Sequence, residues 1–544
     1  MRIIRTACIG VWLCGTAAAC DSASSTGDTV DDVAGDGLEE DGAVEAGDED
    51  VAADTDIAAD GEDEDEADVP PPPLEWGPCD TSDWPAGYPL PADGVECAAL
   101  DVPLDYGDPS AGTIPLTVAL HRSRHHPTGL AVFNLAGGPG GSSIAQSGII
   151  PVTMPLLRAD FDLVYVDQRG TGRSGYMGCP GGYPETRGEW EACAAPYASR
   201  DLNHYLTVDA AHDIDTVRER MGYERMYVRG GSYGTRLGLE VLRQHGDKVV
   251  AAVLDGLAPP DIDLFGDSIP LFDHGVDLLV AECDADPACL AVSPTLLDDL
   301  RLRREQLRAT PRPVFFGSYP DVEDEAYYLM FLEAFLYDAY WRFDVPRAIH
   351  QAVLGDNTLW NALLSDLTGY AVTDRAKGGA GGGRPGERVI RERLVRHELA
   401  QDYVAPGVFI TVVCAEWLPN SAGPAALRTM LADQEWPDDT HVILAEACAA
   451  WDVDPLSADL RGPVVSDVPT LLMNGELDLN TPAEWGPHAA LTLPDSTSLL
   501  VPHATHATIL VDCASQIMSR FLMADGAMAT VDTSCLADIP HPGW

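Results

Sequence analysis

Eight short apolar runs recur along the chain, each closed by turn residues: Val95–Val102, Ile114–Leu120, Leu130–Leu135, Phe161–Val166, Met226–Val228, Val249–Leu254, Pro469–Met473 and Ser498–Val501. Runs of this length, rich in branched side chains, read as buried strands. Several are separated by stretches with helical spacing. The pattern therefore predicts an α/β domain built on a mostly parallel, eight-stranded sheet. The first two runs are close in sequence and are expected to pair antiparallel. Residues 261–465 interrupt the series. They carry helical patterns, such as Ala326–Phe343 and Glu387–Gln401, and are expected to form a large, mainly helical cap. The α/β core is expected in two parts, residues 76–260 and 466–544.

The first 75 residues obey other rules. Residues 1–19 read as a signal peptide, with Arg2 and Arg5, an apolar run from Ile9 to Leu13, then small residues. Thr16-Ala17-Ala18-Ala19-Cys20 looks like a bacterial lipobox, so Cys20 is expected to carry lipid. Residues 21–69 hold no Lys or Arg and are rich in Asp, Glu, Ala and Gly. Such a stretch cannot bury a core, and its charges repel one another. Residues 20–75, closed by Pro70–Pro73, are expected to act as an extended tether. Together these segments imply an exported chain held at the bacterial cell envelope, with the membrane as a partner through lipid.

Charge narrows the partners. The chain has 87 Asp and Glu against 33 Lys and Arg, a formal net charge of -54. A phosphate backbone would be repelled, which excludes nucleic acid. Beyond the leader and Cys20, ten cysteines remain: Cys79, Cys97, Cys179, Cys193, Cys283, Cys289, Cys414, Cys448, Cys513 and Cys535. None forms a C-x-x-C pair or a cysteine–histidine cluster, so no metal and no cofactor is expected. An even number in an exported chain implies disulfides. Lys377–Arg384 is glycine-rich but lacks the ending of a phosphate loop, and reads as a loop of the cap.

The chemistry centres on the fifth apolar run, Met226–Val228, and the glycine-rich turn at its end. Gly230-Gly231-Ser232-Tyr233-Gly234 is a G-x-S-x-G motif between a strand and a helix. Small flanking residues allow the sharp turn that presents Ser232 as a nucleophile. A serine needs a base, and the base needs an orienting acid, here expected in the order Ser, acid, His. Asp478 comes after the seventh run and is the preferred acid; Glu476 and Asp255 are its rivals. His506 comes after the eighth run and is preferred over His503 as the base. The oxyanion donors are expected to be the Tyr233 N–H and that of Gly137 or Gly138, in the glycine-rich loop after the third run.

Three motifs together carry a family resemblance: Gly137-Gly138-Pro139-Gly140-Gly141, Asp167-Gln168-Arg169-Gly170-Thr171-Gly172-Arg173-Ser174, and Gly230-Gly231-Ser232-Tyr233-Gly234-Thr235. They resemble the proline iminopeptidase family of α/β hydrolases, and more closely its secreted tripeptidyl aminopeptidases. Resemblance spans roughly residues 76–538. It implies an α/β-hydrolase fold, a Ser232–Asp478–His506 triad, and release of short peptides from a free amino terminus. Ala136 stands where proline iminopeptidases usually have His. Neighbour pairing and the resemblance together suggest bridges Cys79–Cys97, Cys179–Cys193, Cys283–Cys289, Cys414–Cys448 and Cys513–Cys535. An aminopeptidase needs a carboxylate for its substrate's amine, and Glu416, among apolar neighbours, is the candidate. Arg169 and Arg173 are expected to brace their own loop. The competing reading is a hydrolase of small esters or amides using the same triad.

Overall fold

The computed structural model describes residues 73–79, 94–125, 129–180, 184, 186–316, 319–337, 339–368, 372–373, 404–437 and 439–544. The expected signal peptide, Cys20, nearly all of the expected tether, the glycine-rich stretch 377–384 and the helical pattern 387–401 lie outside these residues.

The strands, in chain order, are β1 (Gly77–Pro78), β2 (Val95–Pro103), β3 (Thr113–His121), β4 (Ala131–Leu135), β5 (Asp162–Val166), β6 (Met226–Gly231), β7 (Val249–Asp255), β8 (Arg312–Phe316), β9 (Tyr319–Glu323), β10 (Val372–Thr373), β11 (Thr470–Gly475) and β12 (Ser496–Val501). Nine of them form one sheet in the order β1-β2-β3-β5-β4-β6-β7-β11-β12. The eight apolar runs supply eight of these strands. The ninth, β1, adds a two-residue edge. β1, β2, β3 and β5 pair antiparallel in succession, and every pairing from β5 to β12 is parallel.

Side chains alternate across the sheet because successive residues of a strand point to opposite faces. On β5, Leu163 and Tyr165 join one core, while Val164 and Val166 join the other. On β7, Ala251 and Val253 face the first core, and Ala252 and Leu254 the second. Both faces are therefore covered, as a parallel sheet requires. Helices Thr207–Arg220 and Tyr233–His245 contribute to one core and helix Asp512–Met523 to the other.

The insertion divides into two parts. Helices Leu271–Ala285, Leu296–Ala309, Glu325–Tyr337 and Val345–Val353 enclose an aromatic-rich core of their own, including Phe331, Phe335 and Trp360. A small sheet in the order β10-β8-β9 accompanies them, so this part is not helical throughout. Helices Pro406–Val412 and Thr440–Ala447 instead bury Phe409, Ile410, Val442 and Leu444 in the main core. Among the described residues, five disulfides join Cys79–Cys97, Cys179–Cys193, Cys283–Cys289, Cys414–Cys448 and Cys513–Cys535. Among the described residues, no helix is long and apolar enough to cross a membrane.

Candidate active site

The parallel register brings five strand ends to one edge of the sheet. Leu135 of β4 pairs with Gly230 of β6, Gly231 with Asp255 of β7, Asp255 with Met473 of β11, and Gly475 with Val501 of β12. The chain passes from β4 to β5 on one side and then to β6 on the other. Ligands of open α/β sheets bind in the crevice at such a reversal.

β6 ends in Ser232, which has φ 55° and ψ -128°, and helix Tyr233–His245 begins at the next residue. A left-handed serine is a strained arrangement, held here by its surroundings. The Ser232 N–H donates to the Asp255 carbonyl at 2.9 Å, and the Thr235 N–H and hydroxyl both donate to the Ser232 carbonyl. The flanking glycines are obligatory: a Cβ on Gly230 would lie 2.2 Å from the Gly234 carbonyl oxygen, and one on Gly234 would lie 2.3 Å from that of Leu135.

His506 Nδ1 lies 2.9 Å from Asp478 Oδ2 and 3.1 Å from Oδ1. The Asp478 carboxylate is buried. It accepts the Asn480 and Thr481 N–H groups at 2.8 and 3.0 Å, and the Thr481 hydroxyl at 2.6 Å. Thr481 Oγ1 is also 3.1 Å from His506 Nδ1. These bonds fix the carboxylate as an acceptor aimed at the imidazole. Gly256 links the pair to the elbow. It is next to Asp255, whose carbonyl holds Ser232, and a Cβ there would sit 3.3 Å from His506 Cε1.

The rival groups face elsewhere. Asp255 accepts the Thr508 hydroxyl at 2.6 Å and the Ile509 N–H at 3.0 Å, which ties β7 to the chain beyond His506. Burial pushes its carboxyl above the usual range. Glu476 accepts the backbone N–H of His503. The His503 ring points towards Glu282 and Glu476, with Nδ1 3.9 Å from an oxygen of each.

The loop after β4 lies beside the elbow. A Cβ on Gly137 would be 3.0 Å from the Ser232 Cβ and 3.5 Å from its Oγ. Gly138 lines the same cavity as Ser232 and Tyr233. Asp167 anchors this loop: its buried carboxylate accepts Ser142 Oγ at 2.6 Å, the Ile144 N–H at 3.1 Å and the Arg173 N–H at 2.8 Å. Arg169 is buried, with a two-bond pair to Asp213 at 2.7 Å and a bond to the Leu104 carbonyl at 3.0 Å. It is a brace.

Glu416 requires a correction. It is fully buried and does not line the cavity. Its Oε1 accepts the Thr207 N–H at 2.8 Å, and its Oε2 accepts the Thr207 hydroxyl at 2.9 Å and Arg236 Nε at 2.7 Å. Thr207 Oγ1 in turn lies 2.8 Å from the Tyr233 hydroxyl. Glu416 thus neutralises a buried arginine beneath the elbow, and has no face for a substrate amine. The residues around it, Val413–Trp417, form a π-helical turn.

A cavity of about 620 Å³ opens over Ser232. Its carboxylates come instead from Glu325, Glu333 and Asp439, set among apolar residues such as Trp190, Phe409 and Leu444. Glu325 is engaged by Arg308 and Arg304, whose guanidinium groups hold its carboxyl down at about 2. Glu325, Leu329 and Glu333 recur every fourth residue on helix Glu325–Tyr337, so they share one face. Tyr337, the next in that series, places its ring 5.3 Å from that of His506. Sequence reading did not single out Thr481, Glu333, Tyr337 or Asp439. The four-residue spacing was the available signal for two of them, and the Asp-x-x-Thr turn for Thr481.

Comparison with known proteins agrees with this architecture. A family model described as alpha/beta hydrolase fold matches residues 131–327, and one described as TAP-like protein matches residues 433–535. Serine protease Hip1 of Mycobacterium tuberculosis is 29% identical over 215 residues, covering 35% of this chain and 41% of that protein. A tripeptidyl aminopeptidase of Streptomyces lividans is 28% identical over 219 residues, 35% of this chain and 39% of its own. A proline iminopeptidase of Neisseria gonorrhoeae is 33% identical over 133 residues, 24% of this chain and 34% of its own. The chain thus spans less than half the length of each of these relatives. By its two family modules and these relatives, the chain is similar to the proline iminopeptidases and tripeptidyl aminopeptidases among the α/β-hydrolase serine hydrolases.

Proposed function

We propose that this chain is a serine exopeptidase that removes short peptides or single residues from the free amino terminus of oligopeptides. The observation that carries the reading is one cavity lined by Ser232 of the elbow, by Thr481, which is hydrogen-bonded to the His506–Asp478 pair, and by acidic side chains. Ser232 Oγ attacks the scissile carbonyl while His506 Nε2 takes its proton. Asp478 holds the Nδ1–H and stabilises the imidazolium that forms. The Tyr233 N–H and that of Gly138, the glycine on the cavity wall, receive the developing oxyanion. His506 then returns the proton to the leaving amine. A water, activated by the same His506, releases the acyl group from Ser232.

The test uses peptide-coumarin substrates with free and acetylated amino termini, together with a fluorophosphonate label. Ser232→Ala is expected to abolish labelling and to lower kcat by ~10⁴-fold or more while remaining folded. Acetylation of the substrate is expected to lower kcat/KM by ~10²-fold, since the carboxylates lining the cavity then lose the positive group they would pair with. Equal cleavage of both substrates would replace this reading with the ester or amide hydrolase alternative. Retention of a tenth of the activity in Ser232→Ala would remove the serine mechanism altogether.

The same proposal places the enzyme at the bacterial cell envelope, exported and held to a membrane by lipid on Cys20. The lipobox-like run before Cys20 and the acidic stretch after it support this reading. Cys20→Ser should release the enzyme into the soluble fraction with unchanged specific activity; continued membrane association would refute the anchor.

A further inference from the structure

Three segments far apart in sequence converge behind the candidate base. Glu282 comes from helix Leu271–Ala285, His503 from the loop after β12, and His541 from the stretch beyond Ile539. One ligand atom from each lies within 4.8 Å of the other two. His503 Nδ1 is 3.9 Å from Glu282 Oε1. The two imidazole rings are 5.1 Å apart, and His541 packs against Trp544 at 5.0 Å and Phe343 at 4.6 Å.

Two features distinguish this cluster from a chance meeting of polar groups. His503 Nδ1 and His541 Nε2 are both shielded from solvent and have no hydrogen-bond partner. A shielded polar atom without a partner is destabilising, so two of them within one cluster call for a ligand. The carboxylate is also prepared. The buried Arg342 takes Glu282 Oε2, with Nη2 at 3.2 Å and Nε at 3.4 Å, and Oε1 is the oxygen turned to His503. Groups that orient a metal ligand in this way are a regular part of metal sites. His503 itself is held at φ 56°, a left-handed position, by its N–H bond to Glu476. That bond places Glu476 Oε2 3.9 Å from His503 Nδ1, a second carboxylate at the edge of the cluster.

We propose that Glu282, His503 and His541 bind a divalent transition-metal ion, with zinc the best fit. Two imidazoles and a carboxylate suit zinc, and water can fill the fourth position. Ligands at zinc distances of ~2.0–2.1 Å stand roughly 3.4 Å apart in a tetrahedron, so the observed separations, 3.9 Å between His503 and Glu282 and within 4.8 Å across all three, close with side-chain rotations. One local bond must change. The Gly543 N–H donates to His541 Nδ1 at 3.0 Å, and metal on Nε2 moves the ring proton to Nδ1. That bond lies on the exposed side of the ring. The bound ion staples the cap helix Leu271–Ala285 and segment 539–544 to the loop that carries His506, three residues beyond His503. No catalytic step is routed through it, and the site stands whether or not the peptidase reading holds.

Metal-free full-length protein is titrated with Co²⁺ and Zn²⁺. We expect one Co²⁺ per chain, giving the intense visible spectrum of a four-coordinate ion, displaced by one equivalent of Zn²⁺. The thermal midpoint should rise with zinc concentration. His541→Ala should weaken zinc binding by ~10-fold or more and remove the visible spectrum. His503→Gln should do the same, and His541→Ala carries the test if the strained loop does not tolerate that change. A weak six-coordinate spectrum, or equal affinity in wild type and His541→Ala, would mean that a proton or an ordered water joins these groups, and would overturn the site.

Discussion

Glu416 shows how differently a buried carboxylate reads once its partners are known. Its oxygens are taken by Thr207 and Arg236, and Thr207 passes the contact on to Tyr233, whose N–H is the proposed oxyanion donor. Burial, reinforced by the nearby Glu416 charge, pushes the Tyr233 phenol up, so it stays a neutral hydrogen-bonding group. Breaking a buried ion pair on one side leaves the other charge unpaired, at a cost of ~3–5 kcal/mol. Glu416→Ala should therefore lower the thermal midpoint by many degrees. The fraction that stays folded should keep the same activity ratio between free and acetylated peptides. A selective loss on free-amine substrates, with stability intact, would return Glu416 to the substrate site. Asp255 illustrates the same logic at a second position: a carboxylate at a strand end, suitable as a triad acid by place, is consumed by Thr508 and Ile509.

At the scale of elements, legibility tracked the strength of the local pattern. β4 to β7 could be read because both faces of the central strands are buried, leaving unbroken apolar runs between glycine-rich turns. β1 could not: Gly77–Pro78 has no apolar run, and proline is tolerated only because this is an edge. β8, β9 and β10 carry Arg312, Asp321 and Glu323 among their few apolar residues, so they merged into the helical reading of the cap. The expected helix Ala326–Phe343 comprises two, Glu325–Tyr337 and Ala339–Arg342. The misplacement of Glu416 has a specific cause. Apolar neighbours mark a buried position, but they do not tell whether the carboxylate meets a substrate amine or, as here, Thr207 and Arg236. The candidate metal ligands left no trace in sequence spacing, because positions 282, 503 and 541 meet only through the tertiary fold. The order Ser232, Asp478, His506 was readable for the opposite reason. Each lies within five residues of the end of its own strand, and parallel register delivers strand ends to one edge.

Across the whole molecule, substrate choice depends on how the insertion meets the sheet. Its first part has a separate core and presents helix Glu325–Tyr337 to the cavity; its second part is fused to the main core and supplies Asp439 to the same cavity. The acidic lining and the chain's formal charge of -54 favour a positive group on the substrate and disfavour a free carboxylate. Glu325 is neutralised by two arginines; Glu333 and Asp439 line the same cavity and are the other carboxylates an ammonium group entering it would meet. Glu333 lies four residues, ~6 Å along the helix, from Tyr337, which rests on the proposed base. An amine bound there stands a short distance from the scissile bond, which would limit cleavage to the first residues of a peptide. Glu333→Gln should therefore reduce kcat/KM on free-amine peptides by ~10-fold or more, and Asp439→Asn should act in the same direction. Neither change should alter hydrolysis of a small neutral ester by more than about twofold, because charge–charge pairing is absent there. If both variants lower ester and peptide turnover equally, these carboxylates shape the cavity without reading the amine, and substrate selection must lie with its apolar wall.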